Sequence, residues 1–162
     1  MAIVRPMRFT AALLLMFASS AASADTIAGR ASVIDGDTIE IDGERIRILD
    51  IDAPELDQHR RERGSGNSWS CGKWAARALS DWISPYSVSC ETEGSDNAGR
   101  WLARCDLAGV SIGTWMAGHG WAVPNQDCAC AEVRAASKDA KLRNAGIWGG
   151  EFQMPWEWRK AN

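Results

Sequence analysis

The chain has 162 residues, 46% of them apolar and 24% charged, with 18 basic against 21 acidic side chains and a formal net charge of −3. That length suits one domain with a modest core, and the apolar share excludes a chain too polar to collapse. The acidic balance excludes a broad positive surface of the kind that holds nucleic acid by charge alone, so any such chemistry must rest on a few placed arginines.

Arg5 and Arg8 precede an apolar stretch over 9–18 that ends in Ala22-Ser23-Ala24, the pattern of a secretory signal with a small-residue cleavage site. The stretch falls short of the ~20 residues a spanning helix needs. The expectation is a signal peptide over 1–24, a single domain over 25–162, no stable membrane span, and an exported product, periplasmic or secreted. All five cysteines lie after the signal, in keeping with disulfides formed in an oxidising compartment. No Cys-x-x-Cys pair or histidine cluster supports zinc, and the odd count leaves at least one thiol unpaired within the chain.

Alternating apolar runs predict strands over 27–34, 38–41 and 45–51, with Asp42-Gly43 as the hairpin turn between the last two. The polar, glycine-bearing segment 58–66 reads as an exposed loop. Ser68 fits a helix N-cap, and Cys71, Trp74, Ala75, Ala78, Leu79 and Trp82 then recur at three- and four-residue spacing until Pro85 stops the helix. Strands over 87–92 and 100–107 form a second hairpin around the loop 96–99. A short helix over 111–117, a strand over 121–123 and a helix over 131–144 follow, the last closed by Gly146. Five strands with a helix between the third and fourth, and about three helices in all, is the order of a mainly β OB-fold barrel; an α+β sandwich would give a similar string.

Within Val33–Ile41, VIDGDTIEI, the Asp-Gly pair reads first as a turn. Asp37 then opens one strand and Asp52 ends a neighbouring one, so the meander can bring the two acids together. Close carboxylates need a proton or a cation between them, and a hard, oxygen-seeking cation suits that pair. Arg47, inside an apolar strand, either snorkels, pairs with Glu55 or Asp52, or serves a site. Arg100 at the start of its strand means little alone.

VIDGDTIEI, then RIRILDIDAPE with its second arginine five residues before an aspartate, then DNAGRWLA, in that order and spacing, resemble the staphylococcal-nuclease-like (thermonuclease) family. GHGWAV and NAGIWGGEF are similar to the segments that close that domain, and the likeness runs from about Val33 to Trp158. The resemblance implies an OB-fold, calcium-dependent phosphodiesterase that acts on DNA and RNA, single-stranded or flexible, as a monomer, and leaves 3′-phosphate ends. It implies Asp37, Asp52 and the Ala53 carbonyl as calcium ligands, and Arg47, Glu55 and Arg100 as the catalytic set. Threonine is usual in the family where this chain has Ala53, but the main-chain carbonyl persists. Asn97 and Ala98 stand at its lysine and tyrosine positions, and its pocket tyrosines have no counterpart after Val123, so substrate grip is expected to differ. The alternative is a catalytically silent OB-fold module that binds oligonucleotide or a protein partner.

Of nine tryptophans, Trp74, Trp82, Trp115 and Trp121 are expected in the core, and Trp69 and Trp101 are the candidates for substrate contact. The segment PWEWRK is expected to dock the C-terminus on the domain. Cys90 and Cys105, on opposite strands of the second hairpin, are expected to pair, leaving Cys71 to bridge to Cys128 or Cys130.

Overall fold

The computed structural model describes residues 25–162; the expected signal over 1–24 lies outside them. The chain opens with β1 (Thr26–Val33), β2 (Thr38–Ile41) and β3 (Glu44–Ile48), followed by the two-residue β4 (Ile51–Asp52). Short strands β5 (Arg60–Glu62) and β6 (Ser68–Trp69) precede α1 (Cys71–Ile83). Next come β7 (Ser87–Ser95), β8 (Trp101–Leu107), β9 (Val110–Ser111), α2 (Ile112–Gly118) and β10 (Val123–Pro124). Then α3 (Ala131–Leu142), a 3₁₀ turn (Gly146–Gly149), β11 (Gly150–Glu151) and α4 (Pro155–Ala161) complete the fold.

β3, β2, β1, β7 and β8 pair antiparallel in that order, and β3 also pairs parallel with β8, aligning Ile46 with Trp101 and Ile48 with Ala103. That last pairing closes a five-stranded barrel, the mainly β OB-type architecture expected, with four α-helices among the described residues rather than about three. Ile39, Ile41, Ile46 and Ile48 fill the barrel, each at most 1% exposed. α1 caps it with Ala75, Leu79 and Ile83, which recur every four residues and so share one face. Full burial of such aliphatic side chains contributes roughly 1.5–3 kcal/mol each before chain entropy is set against it.

Three local differences from the sequence expectation have physical causes. The third strand does not run through residue 51: Asp50 takes a left-handed backbone (φ 71°), a conformation Asp tolerates better than most, and redirects the chain. Ile51 and Asp52 therefore leave the barrel ladder and pair with Pro124 and Val123. Second, residues within 58–66 are not only loop, because β5 pairs with both β6 and β11 in a small second sheet. Third, Ser70 rather than Ser68 sits at the start of α1, since Ser68 belongs to β6.

The cysteines pair differently from expectation at one point. Cys90 and Cys105 stand directly opposite in the β7–β8 register and are bonded. Cys71 forms no bridge: it is buried under α1 against the Gln58 carbonyl, in a small cluster with Val123 and Ile147, while Cys128 and Cys130 are bonded to each other just before α3. Burial pushes the Cys71 thiol up to about 11, as expected of an inert core cysteine. The tryptophans also divide. Trp82 and Trp115 stack face to face against the core, but Trp74 is 46% exposed.

Candidate active site

Residues 34–37 form the turn between β1 and β2. The Asp35 carboxylate accepts the Asp37 amide at 2.9 Å, an Asx turn that leaves the Asp37 side chain pointing inward. Gly36 is required by space: a Cβ there would come within 2.6 Å of the Ala53 methyl and 3.0 Å of Ala75. The turn thus packs directly on the residue that follows β4. Asp37 is 3% exposed, and its Oδ2 accepts the Ala53 amide at 2.8 Å. Asp52, also 3% exposed, stands next along the chain.

Arg47 sits between the two acids, donating to Asp37 Oδ1 at 2.9 Å and to Asp52 Oδ1 at 3.2 Å. Burial pushes the Asp37 carboxyl up to about 7, and the Arg47 guanidinium and the Ala53 amide only partly offset that. Glu55 follows Pro54, and its main chain is backed by Gly72 of α1, where a Cβ would overlap the Glu55 carbonyl. Arg100 precedes β8 and is held by Asp96, which accepts both its main-chain amide and its Nε. The Arg100 amide, first among these contacts, holds the Asp96 carboxyl below the usual carboxylate range.

These residues surround one cavity of about 360 Å³, lined by Asp35, Asp37, Arg47, Ala53, Glu55 and Arg100 together with Arg159. A larger cleft of about 570 Å³ lies beside β9 and α3, but Glu91, Asp106 and Glu132 line it and its arginine, Arg104, is bound to Asp50. An anion would meet net negative charge there; in the smaller cavity three arginines balance Asp35, Asp37 and Glu55. The buried Asp37 and Asp52 carboxylates, with Glu55 at the cavity beside them, are oxygen donors that suit a hard cation. An ionised Asp37 buried this deeply calls for more positive charge than Arg47 alone provides. Guanidinium groups stand between the acids, Arg47 between Asp37 and Asp52 and Arg159 between Asp52 and Glu55.

Arg159 was not singled out by the sequence. It reaches in from α4, donating to both Asp52 oxygens at 2.9 and 2.7 Å and to Glu55 at 2.8 Å. The expected docking of PWEWRK is the reason: Trp156 and Met154 pack with Phe152 and Trp148 against Cys71, Val123 and Ile147. The place of Arg159 directly after Trp156-Glu157-Trp158 marks it as part of a docking segment, but not which acids it meets. Trp69 lies near this cluster, stacked between Trp74 and Trp121 with Arg60 over its ring at 4.4 Å. Trp101 packs on the barrel core and donates its Nε1 to Glu44 at 2.8 Å.

Residues 45–150 match the family model for staphylococcal nuclease homologues. The chain belongs to that family. Relatives include the succinoglycan biosynthesis protein ExoI of Rhizobium meliloti (strain 1021), 39% identical over 141 residues that make up 83% of this chain and 71% of that protein. The micrococcal nuclease of Shigella flexneri is 27% identical over 177 residues, 96% of this chain and 93% of its own. Endonuclease YhcR of Bacillus subtilis (strain 168) is 30% identical over 146 residues, 78% of this chain but 12% of that protein. The nuclease-family match takes in Arg47, Asp52, Glu55 and Arg100, whereas Asp37 and Arg159 lie on either side of it. Among the described residues no helix is long and apolar enough to cross a membrane.

Proposed function

We propose that the protein is an exported, calcium-dependent nuclease that hydrolyses phosphodiester bonds of DNA and RNA and leaves 3′-phosphate ends. The observation that supports this most is the convergence of Arg47, Glu55, Arg100 and the buried Asp37 around one cavity, with the buried Asp52 bonded to Arg47 and Arg159 of its lining. A nuclease family and nuclease-named relatives support the reaction class. The signal-like first 24 residues and the bonded cysteines support export.

Asp37, Asp52 and the Ala53 carbonyl would hold the ion. A bound calcium would supply positive charge to a phosphate oxygen and lower the pKa of a water. Glu55 is the general base: it takes the proton from the attacking water as oxygen bonds to phosphorus and the P–O5′ bond breaks, and the leaving 5′-oxygen takes a proton from solvent to become a hydroxyl. Arg47 and Arg100 donate N–H groups to the equatorial oxygens as charge builds on them, and their planar forks suit phosphate better than an ammonium would. Trp69 and Trp101 are the proposed contacts for substrate bases, with Trp69 already part of an aromatic stack.

A silent binding module is the reading that the hold of Arg159 on Glu55 would favour, since a base engaged by a guanidinium is not free to take a proton. Digestion of single-stranded DNA and RNA with calcium, with chelator, and with Glu55→Gln decides between the two. Calcium-dependent cleavage with 3′-phosphate ends, lost in Glu55→Gln, is expected; well-folded protein that binds the substrate but never cuts it would sink the nuclease reading.

A further inference from the structure

Asp52 does not line the cavity itself but is bonded to two arginines that do, and of the acids at the site it has the largest share of positive charge. Arg47 donates to one of its oxygens, and Arg159 donates to both. Arg159 also bonds Glu55, so a single guanidinium ties a proposed metal ligand to the proposed base. The Arg159 side chain is 40% exposed while that of Asp52 is 4% exposed, so the acid is buried beneath an arginine that solvent can still reach.

α4, which carries Arg159, is not a loose tail. Pro155 is buried, Trp156 sits in the small apolar cluster, and the fully buried Gln58 donates its side-chain amide to the Gln153 carbonyl at 2.7 Å. Gln58 in turn is bound to the Glu55 segment, through its amide to the Glu55 carbonyl at 2.8 Å and its Oε1 to the Glu55 amide at 3.3 Å. The anchoring that presents Arg159 therefore runs through the same residue that shapes the turn holding Glu55. A guanidinium delivered by an anchored element loses little freedom on pairing, which makes it an effective occupant of an acid site.

We propose that Arg159 is a built-in counter-cation that competes with the divalent ion for Asp52 and Glu55, so that α4 sets the metal affinity of the site. This rests on the calcium-dependent reading above. Two cations cannot both take the inner face of Asp52, since like charges at that separation repel. Calcium must turn Arg159 out to bind, and by reciprocity anything that weakens the hold of Arg159 strengthens calcium binding by the same factor. Arg159 is thus a positioning residue: it engages Glu55 when the ion is out and frees it when the ion is in. Nuclease activity thereby needs a higher free calcium concentration than the ligands alone would require.

The test is calorimetric titration of calcium chloride into the purified protein, into Arg159→Gln, and into Lys160→Gln, with fold checked by circular dichroism. Lys160 lies next along α4, is exposed, and makes the same change of charge without touching the acids. Arg159→Gln is expected to bind calcium about fivefold or more tightly than wild type, while Lys160→Gln stays near wild type. Equal affinity in wild type and Arg159→Gln, or an equal gain in both variants, would overturn the competition. Calcium binding in none of the three would instead overturn the calcium reading on which it stands, and the competition with it. Should Arg159→Gln fail to fold, Arg159→Lys takes its place: it keeps the charge but loses the fork, and a gain of about twofold or more is still expected.

Discussion

The Asp37 carboxylate is bonded to the main-chain amide of Ala53 at 2.8 Å, which joins the turn before β2 to the residue after β4. Through that one contact, two segments that are separate in the chain hold both proposed calcium carboxylates in a fixed relation. The turn that reads as simple chain reversal in the sequence is therefore a spacer, and Gly36 sets its thickness.

The burial of Asp37 has a pH signature. Its carboxyl rises from an ordinary 3.8 to about 7 on folding, so the folded protein holds a proton there that the unfolded chain releases. Its contribution to stability is full below about pH 3.8 and is lost as pH rises through about 7. In chelator, the stability of wild type relative to Asp37→Asn should fall across that window and level off above it. Thermal melts at a series of pH values read this; a difference that stays flat would remove the buried-acid account. At the proposed calcium site the ion would have to expel the same proton, so its affinity should climb with pH up to about 7.

Replacing either proposed phosphate arginine should cost rate more than binding. Arg100→Lys keeps charge but not the fork, and a loss of roughly 10²–10³ in kcat is expected, equal to one missing oxyanion donor. Steady-state kinetics on a short single-stranded oligonucleotide would show it as a fall in kcat with KM little changed. A rise in KM alone would instead mean that Arg100 only grips substrate.

Gly72 is the sharpest test of how the base is held. Its missing side chain lets α1 press on the Glu55 carbonyl, so Gly72→Ala must shift either the helix or Glu55. A destabilisation of about 1–3 kcal/mol is expected for this overpacking, together with lost activity at temperatures where the variant remains folded. Full activity in a folded Gly72→Ala protein would show that the placement of Glu55 is tolerant.

Reduction of the Cys90–Cys105 bridge, whose cysteines lie 15 residues apart, should lower stability by about 3 kcal/mol in the chain-entropy picture. Non-reducing peptide mapping should recover Cys71 as the free thiol, slow to alkylate until the protein unfolds. Rapid alkylation of native protein at Cys71 would contradict its burial.

What could be read from the sequence was local. Asp37 and Asp52 could be placed by turn chemistry and strand ends, whereas Arg47, Glu55 and Arg100 gained their roles only from the family resemblance; Asp37, Arg47, Glu55 and Arg100 line one cavity, and Asp52 is bonded to Arg47 beside it. Asp52 was legible as a strand end only in part: the left-handed Asp50 that breaks the ladder is one conformation among several open to an Asp. Arg159 was not legible, because its partners Asp52 and Glu55 lie more than a hundred residues back and nothing in PWEWRK encodes them. The Cys71 pairing went astray for the same reason. Spacing shows which cysteines exist, while only the packing of α1 shows that Cys71 faces Gln58 rather than the segment before α3.

The parallel pairing of β3 with β8 has a consequence for how activity arises in time. Arg47 belongs to one of those strands and Arg100 immediately precedes the other, and Ile46 meets Trp101 only after the whole intervening chain has looped back. Contacts between such distant segments form slowly, since the loop must be closed before any pairing rewards it. Local hairpins such as β7–β8 can form earlier and leave the two proposed phosphate-binding arginines apart. A nascent chain would thus remain catalytically incompetent through most of its folding, and recovered cleavage in a refolding experiment would serve as a clock for barrel closure.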